Sequence, residues 1–136
     1  MKRLRSAQVG NGTDRDVRQR VYGTPVGGVT ASPSLASRLD AWGWRIDGAC
    51  AESADGGAAW FAQDGSLASR AARRACRSCP VQRVCLASAL WFGEEYGIWG
   101  GTTPVQREAM TARLLRGESL DGLVGWSDDE VRDDTA

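Results

Sequence analysis

The sequence predicts a small all-α domain of about four short helices assembled around its four cysteines, with flexible tails at both ends. Three observations lead there. Helix-start signals recur at Ser32-Pro33, Asp64-Gly65-Ser66, Pro80 and Thr103-Pro104, each ahead of apolar residues at spacings near three and four. Three of the four cysteines fall in Cys76-x2-Cys79-x5-Cys85, and the fourth stands apart at Cys50. At 136 residues the chain makes one small domain, whose core is marginal without a staple.

In chain order, residues 1–31 carry scattered Arg and Asp, five glycines and almost no apolar periodicity, which predicts a flexible arm. Ser32 is the N-cap of the first helix and Pro33 its first residue, with Leu35, Leu39 and Trp42 at helical spacing. From Gly48 to Gly65 the chain is rich in Gly, Ala and Asp without a period, so Cys50 is expected on a loop. Trp60-Phe61 interrupts that stretch. Two adjacent aromatics face different ways, so one is expected near the cysteines and the other at the surface or in a partner's groove.

Asp64-Gly65-Ser66 caps a second helix, whose Leu67, Arg70, Ala71, Arg74 and Ala75 give an arginine-studded surface leading to Cys76. Pro80 opens a third, placing Cys79 at its entrance and Cys85 nearly two turns in, on an apolar face with Val81, Val84, Ala89 and Phe92. Gly97-Ile98-Trp99-Gly100-Gly101 predicts a tight turn around one indole, either a buried anchor or an interface anchor. Thr103-Pro104-Val105-Gln106 has the form of a capping box. The helix it opens is expected to run through Val105, Ala109, Ala112 and Leu115 and to stop at Arg116-Gly117. Leu120, Leu123, Val124 and Trp126 then suggest a short packed piece before an acidic end. The expected division is an arm over 1–31, a cysteine domain over 32–116 and an acidic, partly disordered tail over 117–136.

Four thiols with no histidine leave a short list of chemistries. A four-cysteine zinc site usually presents two C-x2-C pairs on separate knuckles, whereas one such pair, a third ligand further on and a distant fourth suits the four corners of a [4Fe–4S] cube. The cube is the favoured reading, with Cys50, Cys76, Cys79 and Cys85 as its ligands. Zinc is the second. A thiol-disulfide reductase using Cys76 and Cys79 is the third: Arg73, Arg74 and Arg77 lie close enough in sequence to lower a thiol pKa, but no βαβ pattern surrounds the pair.

Lys+Arg and Asp+Glu balance at 17 each, yet unevenly along the chain. Residues 1–30 carry a net +4, residues 65–116 a net +5 and residues 117–136 a net −6. Arg107, Arg113 and Arg116 are the candidates for DNA contact, too few by themselves for appreciable affinity and followed by a run of acids that repels phosphate. No segment approaches the ~20 apolar residues of a membrane span, and the start lacks the apolar run of a signal peptide. A cytoplasmic location, no membrane partner and no small-molecule substrate are expected, and the protein is not expected to be an enzyme.

The four-cysteine pattern, the Cys79-Pro80-Val81 start, Cys85-Leu86 and the Gly97-Ile98-Trp99-Gly100-Gly101 turn, in that order, resemble the WhiB-like family of actinobacterial and actinophage transcription regulators. The resemblance covers roughly Trp42 to Arg116. It implies a small helical protein whose [4Fe–4S] cluster, held by Cys50, Cys76, Cys79 and Cys85, responds to oxygen or nitric oxide. It also implies docking onto region 4 of the principal sigma factor of RNA polymerase through Gly97, Ile98, Trp99, Gly100 and Gly101, with Trp60 and Phe61 where the family often has an aromatic pair. Many relatives carry a strongly basic segment after the turn, which this chain lacks. DNA contact through the polymerase complex is therefore the weaker expectation, and thiol reduction by the metal-free form is the enzymatic alternative that the family allows.

Overall fold

A computed structural model describes residues 26–127, and both the arm before Val26 and the acidic end after Ser127 lie outside the described residues. Among the described residues there are five α-helices and no strand: α1 (Pro33–Asp40), α2 (Leu67–Arg77), α3 (Gln82–Phe92), α4 (Pro104–Leu115) and α5 (Leu120–Val124). Three 3-10 turns, Gly43–Asp47, Ala49–Glu52 and Ala58–Phe61, fill the stretch between α1 and α2. No helix among the described residues is long and apolar enough to cross a membrane.

α3 is the central element because apolar or small side chains occupy most of its circumference. Val84, Ala87, Ser88, Ala89 and Leu90 are all buried, and the helix packs against α1, α4 and α5. Leu35 and Leu39 of α1, Leu114 of α4, and Leu120, Val124 and Trp126 complete the core on that side. The helix starts follow their signals. Ser32 caps α1 by accepting from the Leu35 N–H, and Ser66 caps α2 from the Ser69 N–H. Thr103 and Gln106 form the reciprocal capping box of α4 with Pro104 at its first position.

The segment after Arg116 joins this core. Ser119 caps α5, and Asp121 accepts from both the backbone N–H (2.7 Å) and the hydroxyl of Ser32, tying α5 to the start of α1. At the other end, the Val26 N–H donates to the Trp91 carbonyl (2.9 Å) and Thr30 accepts from the Leu120 N–H (2.9 Å), so the last part of the 1–31 arm lies against α3 and α5.

Two local readings of the helices change. α3 begins at Gln82, not Pro80, because Cys79-Pro80-Val81 forms a turn ahead of it; Cys79 therefore stands outside the helix and Cys85 in its first turn. α4 is rotated relative to the expected face. Leu114 takes the core position, and the residues one and two turns before it, Met110 and Arg107, turn inward with it. Val105 and Leu115 are left outside, 69% and 58% exposed.

α2 belongs to a second, smaller cluster. Its inward residues Ser69, Ala72 and Cys76 recur at spacings of three and four, and they are small enough to let the Ala58–Phe61 and Ala49–Glu52 turns approach closely. Ile98 packs on Ala72 and Cys76 from the opposite side, with Trp60 alongside. Arg70, Arg74 and Arg77 face outward as the sequence suggested.

Candidate functional site

Between these two clusters lies a cavity of about 250 Å3 whose wall includes all four cysteines. Cys50 arrives on the Ala49–Glu52 turn and is exposed. Cys76, at the end of α2, is buried, while Cys79 and Cys85 are half-buried. Four sulfurs contributed by three separate pieces of chain thus share one space. Among the described residues no three acidic, histidine or cysteine side chains converge on a point as a single metal ion requires.

Backbone and indole N–H groups face these sulfurs. The Trp60 indole donates to Cys76 Sγ (3.4 Å) and the Ala49 N–H to Cys79 Sγ (3.4 Å). Gly101 and Gly100 present their N–H groups to Cys76 and Cys85 respectively. Donors placed on sulfur favour the thiolate over the thiol. Burial nevertheless wins in the metal-free chain: it raises the Cys76 thiol, and it pushes Cys85 up to about 12. The neighbouring arginines do not lower Cys76. Arg73, instead of facing a sulfur, donates to the Gly101 carbonyl (3.2 Å) and to Gln106 Oε1 (3.4 Å).

The donor set fits an electropositive metal group. A thiol held protonated by burial becomes a thiolate ligand once a cation replaces its proton, and the N–H donors already in place then hydrogen-bond the charged sulfur. Four thiols lining one cavity suit a thiophilic metal centre, a single zinc ion or an iron–sulfur cluster alike.

The glycine turn closes the cavity. Gly100 is buried with φ +56°, and a Cβ there would lie 2.6 Å from Leu86 Cβ and 2.8 Å from the Gln82 carbonyl oxygen. Only glycine lets the turn press onto the first turns of α3. At Gly97, φ +87°, a Cβ would stand 2.5 Å from Phe61 Cε1, so the Phe61 ring lies directly across the turn. The Ile98 N–H donates to the Trp60 carbonyl (2.7 Å), and Trp99 and Thr102 exchange backbone hydrogen bonds. The aromatic pair divides as expected: Trp60 turns to Cys76, and Phe61 remains 64% exposed. Trp99 is half-buried, its indole donating to the Tyr96 carbonyl (2.8 Å). Ile98 and Gly100 are inside, so of the seven residues named for a partner they serve as support and not as contact surface.

Arg107 corrects the sequence reading most sharply. It is not available to DNA: only 3% of it is exposed, and its guanidinium donates to the carbonyls of Gly97 (2.8 Å), Thr102 (2.8 Å) and Glu94 (3.3 Å) and to the Thr102 hydroxyl (3.2 Å). It clamps the two ends of the glycine turn. Burial lowers its pKa while Glu94 opposes that shift. Arg113 and Arg116 are exposed, and Arg113 forms a paired contact with Glu118 at 2.8 Å. A second arginine, Arg45, joins the cavity to the turn. Its guanidinium stacks 3.8 Å from the Trp42 ring, 4.7 Å from Trp44 and 5.6 Å from Trp99, and it donates to the buried Ser88 hydroxyl.

Residues 44–110, which hold the four cysteines, the glycine turn and Arg107, match the family model described as transcription factor WhiB. Among curated proteins, the chain is 39% identical over 83 residues to the redox-responsive transcriptional regulator WhiB3 of Mycolicibacterium smegmatis, covering 57% of this chain and 84% of that one. It is 35% identical over 83 residues to the transcriptional regulator WhiD of Streptomyces coelicolor, covering 54% and 70%. Over 61 residues it is 41% identical to the transcriptional regulator WhiB4 of Mycobacterium tuberculosis, covering 45% and 47%. No solved structure matches the chain at a significant level.

Proposed function

The chain belongs to the WhiB family of transcription factors, and from that premise we propose that it regulates transcription as a docking module held in shape by a [4Fe–4S] cluster. Cys50, Cys76, Cys79 and Cys85 would hold the cluster, and the surface carrying Phe61 and Trp99 would bind region 4 of the principal sigma factor. When bound, the cluster supplies a cross-link that oxygen or nitric oxide breaks. The chain's own residues supply the rest.

The observation that carries the reading is the shared cavity. One wall is the exposed Cys50 turn, another the Cys76–Cys85 segment, and the lid is the Gly97–Gly101 turn on which Phe61 rests. Ligands that come from distant parts of a chain make metal binding and folding one event. Releasing Cys50 from such a group frees the segment that carries Arg45, and with it the stack under Trp99. The docking surface and the sulfur site are therefore mechanically joined. A thiol reductase is the poorer reading, since its attacking thiol needs a lowered pKa and access, whereas Cys76 is buried and raised.

The experiment is anaerobic co-purification of the chain with region 4 of a principal actinobacterial sigma factor, with absorbance and iron measured on the same fraction. The account expects a coloured one-to-one complex that Phe61→Ala or Trp99→Ala weakens without loss of iron. Iron-loaded protein that fails to retain the sigma fragment would overturn the docking part, and a complex as stable after iron removal would overturn the linkage.

A further inference from the structure

A second cavity, of about 230 Å3, opens beside the Cys79-Pro80-Val81 turn. The turn is a wall shared with the sulfur site, since Cys79, Val81 and Gln82 touch both spaces, but the chemistry of the two differs. Arginines from three helices surround this one: Arg38 from the last turn of α1, Arg77 from the last turn of α2 and Arg83 from the first turn of α3. Among the described residues no acidic side chain lines it. Trp126 forms part of the wall, buried, with its indole N–H donating to the Ser34 hydroxyl (3.2 Å). A Cβ at Gly125 would lie 3.6 Å from Arg83 Nε, so the Arg83 side chain reaches over the end of α5.

Helix dipoles account for an arginine at the end of α1 and another at the end of α2, where a cation is favoured. They do not account for Arg83, which sits at the positive end of α3, where a cation is disfavoured. Val81, the N-cap of α3, supplies no side-chain acceptor, so the first turn adds its own partial positive charge. Arg38 and Arg83 keep other interactions as well, and what sets the cavity apart is that all three arginines meet on it. Like charges gathered around one space repel one another, and a doubly charged anion seated among them replaces that repulsion by attraction. Guanidinium groups present paired N–H donors that match the oxygens of a phosphate.

We propose that this cavity binds a phosphate group, with Arg38, Arg77 and Arg83 as its donors. A free phosphate compound and a nucleic-acid backbone offer the same group. Neither Arg113 nor Arg116, the exposed arginines named for DNA contact, lines the cavity. The inference stands independently of the metal group that the sulfurs hold and of the sigma factor.

The test is titration of inorganic phosphate into the full-length, anaerobically purified chain, followed by proton–nitrogen correlation spectra of the backbone and of the arginine Nε–H groups. Ionic strength is held constant with sodium chloride. Saturable shifts are expected at Arg77, Arg83 and Val84, with affinity lowered about three- to tenfold by Arg77→Gln or Arg83→Gln and unchanged by Arg116→Gln. Arg77 and Arg83 are exposed, so both variants are expected to fold, which circular dichroism checks. Duplex DNA of arbitrary sequence then identifies the source. DNA binding that competes with phosphate and is weakened by both Gln variants assigns the cavity to a nucleic-acid backbone; DNA binding that they leave untouched, or none, assigns it to a free phosphate compound. No saturable shift, shifts at other residues only, or an affinity for phosphate indifferent to both Gln variants would each overturn the proposal.

Discussion

Replacing Arg107 by Met keeps an apolar stem of similar length and removes every donor that spans the glycine turn. The guanidinium makes two contacts of 2.8 Å to the Gly97 and Thr102 carbonyls, with weaker ones of 3.2 and 3.3 Å to the Thr102 hydroxyl and the Glu94 carbonyl. Hydrogen bonds to charged groups contribute about 1.5–3 kcal/mol each, net of the bonds to water that they replace, so the two short contacts alone give about 3–6 kcal/mol. The desolvation cost is real here, since burial lowers the guanidinium pKa. The low end applies, since the Thr102 carbonyl keeps the Trp99 N–H as a donor and only the Gly97 carbonyl loses its partner, which gives a loss of about 3 kcal/mol, a large part of the 5–15 kcal/mol that a domain commands. Arg107→Lys is expected to recover less than half, because one compact ammonium cannot span both ends of the turn. Urea unfolding at fixed metal content measures the loss, and amide exchange at Trp99 and Thr102 localises it. A loss below about 1 kcal/mol, or full recovery with Lys, would refute the clamp.

Three further outcomes follow from particular contacts. Asp121→Ala removes the acceptor of both Ser32 donors and is expected to destabilise the fold by about 1–2 kcal/mol, with the cost read from the urea midpoint; no change would mean that α5 does not anchor α1. Trp60→Phe removes the N–H directed at Cys76 and is expected to make the reduction potential of iron-loaded protein more negative, measured by redox titration against the parent. Glu94 is raised above its ordinary 4.5 by burial, with Arg45 and Arg107 opposing. Its native state then holds a proton that the unfolded state releases first, so its contribution is complete below that ordinary value and is lost as pH rises through the raised one. Glu94→Gln is therefore expected to gain stability relative to the parent as pH rises above that ordinary value, and parallel stability curves would contradict that sign.

Helix starts were legible because capping is local. Ser32, Ser66 and Thr103 act within four residues of themselves, and each caps where its chemistry says it should. The cysteine set was legible for a similar reason, since spacing and the absence of histidine limit the chemistry before any fold is known. Facing was harder. On α4 the rows through Val105 and through Leu114 are both helical, and an arginine at 107 gives the Leu114 row the character of a solvent face. Leu114 decides it, and a row of Arg107, Met110 and Leu114 at three and four was the signal available in the sequence. The roles of Arg45 and Arg107 depend on rings and carbonyls brought from other segments, which no local pattern contains. The short helix at Leu120 was visible as four apolar residues, but its bond to Ser32 crosses 89 positions.

The central claim is that one inorganic group joins Cys50 to the Cys76–Cys85 segment, and elemental analysis of anaerobically purified protein tests it most directly. The account predicts brown protein with about four irons and matching acid-labile sulfide per chain, lost when any one of Cys50, Cys76, Cys79 or Cys85 is changed to Ser. Colourless protein carrying one zinc, or full iron retained in Cys50→Ser, would contradict it.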